Sequence, residues 1–377
     1  MFKHRKMAIV YDWVDKWGGV ERVLLTLHEM FPEADFYTSY FDFQKAAWAK
    51  NLNVKTSFVN SLPSVIRTSR VLSLPFYPFA FETLDLSAYD LVISITSTFA
   101  KSVVTKPGSR HICYLLTPTR FLWITPDLYL NNMQQTLLSP LINHLKSWDK
   151  VVANRPDKII SISRTVADRC RQYYQRESEV IYPPFDIEYW GSIKNVMPER
   201  SDRMMLTDKF YLVVSRLEPY KKVDLVLRCF KKLKWPLVVV GMGTQEDNLK
   251  KMAGENITFL KGLSDKELGW LYSHAEALIM PQNEDFGYVA LEAQFFGCPV
   301  IAYRKGGSSE TITDGQTGLF FDEQTDSSLI KILERFHTMS YNLKSATRAT
   351  GLKNIEKFSR IEFEKKFVQV INSKVKS

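Results

Sequence analysis

Short apolar runs alternate with helix-period segments along nearly the whole chain, and this alternation restricts the fold more than any other feature. Residues 7–11, 36–40, 54–59, 91–95, 112–116, 159–162 and 179–182 read as strands. Between the first two lies 20–31, with Val20, Val23, Leu24, Leu27, Met30 and Phe31 at helical spacing, and 165–174 reads as a further helix. A second series starts after 190–208, a stretch without a period that reads as a linker. Its strands are expected at 211–214, 237–240, 257–260, 277–280, 300–303 and 318–321, and its helices at 223–233, 266–274, 288–296 and 328–337. Continuously apolar strands interleaved with helices predict parallel, doubly wound sheets covered on both faces. Two such series predict two α/β halves. Ligands of such sheets bind at the carboxyl ends of the strands, where the strand order reverses, so the cleft between the halves is the expected site.

Composition narrows the class further. A chain of 377 residues fits two or three domains at roughly 100–200 residues each. With 45% hydrophobic and 24% charged residues it is neither disordered, nor collagen-like, nor a simple coiled coil. The net charge of +9 is spread along the chain. That suits acidic ligands or an anionic membrane surface and predicts no nucleic-acid partner. Cys113, Cys170, Cys229 and Cys298 are widely separated, with no CxxC pair. Neither a zinc site nor a disulfide scaffold is expected, and reduced thiols point to the cytoplasm. The apolar run at 7–10 is too short for a signal peptide, and no stretch reaches the roughly 18 apolar residues of a membrane span.

The most informative stretch is 281–292, PQNEDFGYVALE. A strand ends at Pro281, a polar loop carries Glu284 and Asp285, and Gly287 opens an apolar-periodic helix. The free N–H groups and positive dipole end of that helix favour a phosphate. Glu292, about a turn in, could accept from a ribose diol. Taken singly, either Glu reads more readily as a solvated loop or helix-surface charge. In Ser215-Arg216-Leu217-Glu218-Pro219-Tyr220-Lys221-Lys222, Arg216 and Lys221 follow a strand. A planar fork and a mobile point charge suit a diphosphate, although an ordinary solvated loop has the same look. Gly18 and Gly19 allow close backbone approach at the first βα turn, which a tight turn also requires. Gly241 and Gly243 read only as a strand-end turn. There is no phosphate loop, no GxSxG, no HExxH and no DxD pair for a divalent metal, and the six histidines lack ligand spacing.

Taken together, these motifs resemble family 4 retaining glycosyltransferases of the GT-B fold: Ser-Arg-Leu-x-Pro-x-Lys, then Glu-Asp-Phe-Gly with a second Glu eight residues after the first, Pro299 to Gly307, and Thr317 to Phe321. Tyr11-Asp12-Trp13, 18–22, 85–94, 111–114 and Thr117-Pro118-x-Arg120 resemble a bacterial mannosyltransferase branch that builds O-antigen and exopolysaccharide units. The resemblance implies an N-terminal acceptor-binding Rossmann-like domain at 1–190, a nucleotide-sugar donor-binding one at 205–350, and a C-terminal helix at 351–377 that crosses back onto the first domain. It implies a metal-independent retaining hexosyltransferase without a cofactor. Arg216 and Lys221 would hold the donor diphosphate and Glu292 the ribose. Glu284, as the catalytic residue, would contact hydroxyls of the transferred sugar together with the backbone of Asp285, Phe286 and Gly287. Gly18 and Gly19 would close over the phosphates. The expected donor is GDP-mannose, with a UDP-sugar as the alternative. The expected acceptor is a glycan or lipid-linked glycan of cell-surface polysaccharide synthesis. Retention is expected by front-face substitution, in which Glu284 positions and stabilises rather than attacks.

The chain departs from the branch at two places. Leu116 and Ser97 stand where the branch carries His, and Leu can neither donate a hydrogen bond nor transfer a proton. A catalytically silent sugar-nucleotide-binding or scaffold subunit is the alternative this motivates. The aromatic stretch 71–81, with Arg67 and Arg70 upstream, reads either as an apolar surface for lipid with cations for headgroups, or as buried packing. The first reading places the protein at the inner face of the cell membrane. Residues 353–375 read as one terminal helix with Ile355, Phe358, Ile361, Phe363, Phe367 and Val370 on its apolar face.

Overall fold

A computed structural model describes residues 6–126, 132–194, 196 and 209–373. The chain forms two compact units, residues 1–184 with 363–377, and residues 185–362. In the first, β1 (Met7–Tyr11), β2 (Asp35–Thr38), β3 (Val54–Thr56), β4 (Leu91–Thr96), β5 (Arg110–Leu115), β6 (Lys158–Ser161) and β7 (Glu179–Val180) make one parallel sheet in the order β3-β2-β1-β4-β5-β6-β7. Ile9 pairs with Phe36 on one side and Ile93 on the other. Every residue of β1 and β4 is buried, as helices on both faces demand.

The second unit repeats the plan with β8 (Tyr211–Val214), β9 (Leu237–Val240), β10 (Ile257–Leu260), β11 (Leu278–Met280), β12 (Val300–Tyr303) and β13 (Gly318–Phe321), ordered β10-β9-β8-β11-β12-β13 and all parallel. Val213, Val239, Ile279, Ile301 and Leu319 pack with Val226 and Phe230 from the helix Val223–Leu233 and with Leu333 and Phe336 from the helix Asp326–Glu356. In each sheet the order reverses beside the strand that starts the unit, between β1 and β4 and between β8 and β11. These are the two switch points at which a doubly wound sheet leaves a crevice for a ligand.

Several local expectations are corrected. The strand expected at 54–59 stops at Thr56, because Ser57 caps a 3-10 turn, Phe58–Ser61, by accepting from Val59 N at 3.2 Å. The helix expected at 165–174 is α-helical over Arg164–Arg169 and continues as a π-helical turn, Cys170–Tyr174. The aperiodic stretch from 190 begins inside a helix, Ile187–Ile193, whose Trp190 is buried between Phe185 and Phe296. Of the residues read as linker, 195 and 197–208 lie outside the described residues.

The terminal segment is two helices rather than one. The helix Asp326–Glu356 ends and the helix Arg360–Asn372 begins after a break centred on Phe358. There the backbone turns to Phe185: Phe185 N donates to Phe358 O at 2.8 Å, and Arg360 N donates to Phe185 O at 3.1 Å. These bonds replace helical ones and reset the helical face, which leaves Ile361 71% exposed. Phe363 and Phe367 instead pack edge-on against Tyr114 of β5, and Arg110 donates to Ile371 O at 2.6 Å, tying the last helix to the first unit.

Candidate active site

The site is assembled at the β8/β11 switch point. Beyond β8 the chain is anchored by Leu217, fully buried, whose N–H donates to Met242 O at 2.9 Å. Gly241 and Gly243 are required by this packing. A Cβ at Gly241 would lie 1.8 Å from Ser215 O, and one at Gly243 2.4 Å from Leu217 O. A single 3-10 turn, Pro219–Lys221, follows, with Lys222 at φ 54° opening the helix Val223–Leu233. Before the turn Arg216 is exposed and donates to the hydroxyl of Tyr220, whereas Lys221 in the turn is buried. The Lys221 ammonium lies 5.3 Å from the Tyr220 ring centre.

From β11 the chain runs through Pro281 and Gln282 to Glu284. Lys221 Nζ donates to Glu284 Oε2, with only 11% and 19% of the two side chains exposed. Gln282 Nε2 donates to the same oxygen at 3.0 Å. The loop after β12 holds this segment from behind: Gly307 N donates to Glu284 O at 2.7 Å. Only glycine fits there, since a Cβ at Gly306 would meet Glu284 O at 2.3 Å and one at Gly307 the Phe286 Cα at 2.4 Å. That explains the Gly306-Gly307 pair of the motif.

Phe286 is turned inward against Tyr288 and Phe358, so its backbone rather than its ring is left for a ligand. Gly287, at φ 93°, starts the helix Tyr288–Phe295, and no side chain caps it. An uncapped helix start has N–H groups to offer an anion. Glu292, one turn in, is 3% exposed and accepts from the Tyr272 hydroxyl at 2.9 Å. The reading of Glu284 and Glu292 as solvated charges is therefore excluded, because both are held by buried partners.

The switch point of the first unit is built differently. Gly18 is extended, Gly19 begins the helix Gly19–Met30, and both follow β1. The β4 loop nearby is closed by the protein's own anion. The fully buried Asp12 carboxylate accepts from Thr96 Oγ1 at 2.8 Å and from the backbone N–H groups of Ser97, Thr98, Phe99 and Ala100 at 2.7–3.1 Å. A nest of N–H groups that could hold a phosphate is thus already filled. Ser97, at one of the two departures from the branch, also donates its hydroxyl to Asp12 at 3.2 Å, and Leu116 is buried. Beyond them a buried Lys101–Asp149 ion pair, bonded to Thr119, Trp123 and Tyr174, fixes the loop after β5.

Other chemistries find no support. The four cysteines are free and buried, and burial pushes the thiols of Cys113, Cys229 and Cys298 up to about 12, which keeps them protonated and unreactive. Among the described residues no group of three or more His, Cys, Asp and Glu side chains could hold a metal ion. No described helix is long and apolar enough to cross a membrane. In the stretch 71–81, Tyr77, Ala80 and Phe81 are buried while Val71, Leu72 and Phe79 are exposed. Arg67 and Arg70, the cations expected to face headgroups, turn inward. Arg67 donates to Asn60 O at 2.9 Å, and Arg70 pairs with Asp15 over the Trp13 ring.

Two family models match the chain. Residues 17–189 match the one described as Glycosyltransferase Family 4, and residues 200–351 the one described as Glycosyl transferases group 1. The chain belongs to glycosyltransferase family 4. Among curated relatives, the mouse alpha-1,3/1,6-mannosyltransferase ALG2 is 28% identical over 282 residues, 66% of each chain. The GDP-mannose-dependent alpha-(1-6)-phosphatidylinositol monomannoside mannosyltransferase of Mycolicibacterium smegmatis is 29% identical over 192 residues, 45% of this chain and 50% of the relative. The match therefore spans just under two thirds of the first relative's length and half of the second's. Anabaena HepE, solved with UDP, superposes with a TM-score of 0.72 at 18% identity, covering 98% of this chain and all of that one. This likeness identifies the fold, two Rossmann-like domains as in GT-B glycosyltransferases. Sequence reasoning missed Tyr272, Gln282 and the filling of the first switch point by Asp12. Tyr272 and Glu292 lie on different helices, and nothing in either local pattern links them.

Proposed function

We propose that this family 4 glycosyltransferase moves a hexose with retention, mannose from GDP-mannose being the first-choice donor, to a glycan or lipid-linked glycan in cell-surface polysaccharide synthesis. The observation that carries the reading is the joining of Lys221 and Glu284 at the β8/β11 switch point, beside an uncapped helix that carries the buried Glu292. On this reading the second unit takes the donor and the first unit the acceptor. Arg216, Lys221 and the helix N-terminus meet the diphosphate. As the sugar–phosphate bond breaks, the two cations offset charge building on the leaving group, so no bound metal or other cofactor is required. Glu292, oriented by Tyr272, accepts from the ribose. Glu284, with the backbone at Asp285, Phe286 and Gly287, contacts the sugar hydroxyls. Gly18 and Gly19 approach the phosphates. The acceptor hydroxyl attacks on the face the phosphate leaves and gives its proton to the departing phosphate oxygen, and Glu284 stabilises the sugar throughout.

The named relatives that use mannose support the donor sugar, and the UDP-bound neighbour favours a UDP-sugar as the second reading. The buried Leu116 at a family His position favours a silent nucleotide-sugar-binding subunit as a third. Hydrolysis and transfer are measured with GDP-mannose and UDP-sugars, with and without a chelator. Turnover of one donor, unchanged by chelation, is expected. Binding without transfer to any cell-derived acceptor favours the silent subunit, and neither binding nor turnover refutes the proposal. We place the enzyme in the cytoplasm at the inner face of the cell membrane. Exposed Val65, Val71, Leu72 and Phe79 support a peripheral contact, although Arg67 and Arg70 are engaged elsewhere. Co-flotation with vesicles containing phosphatidylglycerol but not with neutral ones is expected, and no flotation refutes it.

A further inference from the structure

Gln282 is 3% exposed, and its loop is pinned from behind, where Gln324 Nε2 donates to Pro281 O at 2.6 Å. Its amide nitrogen donates to Glu284 Oε2. A carboxylate only accepts, so this bond fixes which way the amide lies. Gln282 Oε1 is then directed away from Glu284, and it is buried with no partner. A buried amide oxygen without a donor is costly, and an O–H or N–H brought by a ligand would satisfy it.

The chemistry of that group is restricted. An amide oxygen accepts, so it takes an O–H or N–H and repels a phosphate oxygen. Lys221, one of the two cations of the site, is bound to the same Glu284 oxygen. The site thus sorts its ligand into an anionic part for Lys221 and a hydroxyl-bearing part for Glu284 and Gln282. Two acceptors linked through one hydrogen bond match neighbouring hydroxyls on one sugar ring. We propose that Gln282 is a specificity-determining residue that accepts a hydroxyl proton of the transferred hexose, next to the hydroxyl read by Glu284. This rests on the donor-site reading above and adds to it the residue that discriminates among sugars.

The test compares the full chain with Gln282→Met and Gln282→Leu, which keep most of the volume and lose the amide. The probes are GDP, UDP, GDP-mannose, UDP-glucose and the 2-, 3-, 4- and 6-deoxy forms of both sugars. The native chain is expected to prefer the complete sugar over one deoxy analogue by on the order of tenfold through Gln282. Both variants are expected to reduce that one preference to less than about twofold, while the free diphosphates bind as in the native chain. Equal weakening of the sugar and all its deoxy analogues would mean that Gln282 only holds Glu284 in place, and would overturn the proposal. So would an unchanged preference. If the native chain binds neither diphosphate, it is the donor-site reading that fails. Diphosphate binding also reports whether the variants fold.

Discussion

Replacing Glu284 by Gln is expected to tighten the binding of a nucleoside diphosphate while slowing transfer. In the free protein Lys221 donates to Glu284, and the pair is mostly withdrawn from water. Exposed ion pairs are worth about 0.2–1 kcal/mol, and breaking a fully buried one costs about 3–5 kcal/mol. A pair with 11% and 19% of its side chains exposed falls between, at about 1–2 kcal/mol. An arriving diphosphate must share the Lys221 ammonium with this carboxylate and also feels its negative charge. Glutamine keeps the shape and removes both penalties. Affinity for GDP or UDP should therefore rise roughly 5- to 25-fold, since each 1.4 kcal/mol is a factor of ten. Transfer should fall on the order of 100-fold, the usual cost of losing one preorganised contact to a transition state. Titration calorimetry of the diphosphates and product detection by mass spectrometry read the two effects separately. Lys221→Met should weaken diphosphate binding and abolish the gain when combined with Glu284→Gln. A chain that melts normally but binds diphosphate more than threefold less tightly after Glu284→Gln would refute the reasoning, because Glu284 would then be a nucleotide ligand and not a competitor.

Glu292→Ala should weaken diphosphate binding by about 10- to 100-fold and remove discrimination between ribose and 2′-deoxyribose nucleotides, with Tyr272→Phe intermediate; affinities equal to the native protein would contradict the ribose assignment. Asp12→Ala strips the acceptor from four backbone N–H groups and two hydroxyls, so about 4 kcal/mol should be lost. At about 2–4 °C per kcal/mol, Tm should fall by about 8–16 °C in calorimetry, and a shift below about 3 °C would show that water replaces the carboxylate freely. His111 is buried against Ser94, and burial, helped by the nearby Arg155 charge, lowers it to about 3. Between about 6.5, its value in the unfolded chain, and 3, unfolding takes up a proton that the folded protein excludes, so stability falls with pH by up to about 1.4 kcal/mol per unit. His111→Asn should remove one proton from the slope of unfolding free energy between pH 6 and 4, measured by urea titration, and an unchanged slope would refute this.

The strands were legible wherever burial is complete. Residues 211–214, 237–240 and 318–321 lie where periodicity alone puts them, because a strand covered on both faces must be apolar throughout. The helix Glu246–Met252 went unread because Leu249 is its one buried residue, which leaves no period to detect. The helix Asn132–Val152 carries Pro140 inside it, which reads as a breaker. The break at Phe358 was invisible for a different reason. Its cause is hydrogen bonding to Phe185, a residue 173 positions earlier, and a local pattern holds no record of a distant partner.

The sequence by itself determined two parallel α/β units, the family, and the residues gathered in the 215–222 and 281–292 motifs. Spacing and side-chain chemistry are local properties and survive without coordinates. Only the tertiary structure decided that Lys221 is bound to Glu284, that Tyr272 holds Glu292, and that Gln282 is left with an unmet oxygen. It also decided that the first unit, alike in topology, closes its β4 loop with Asp12. Each of these depends on which groups meet after burial, where an ion pair or an unmade hydrogen bond carries its full energy, and burial is a property of the folded chain alone.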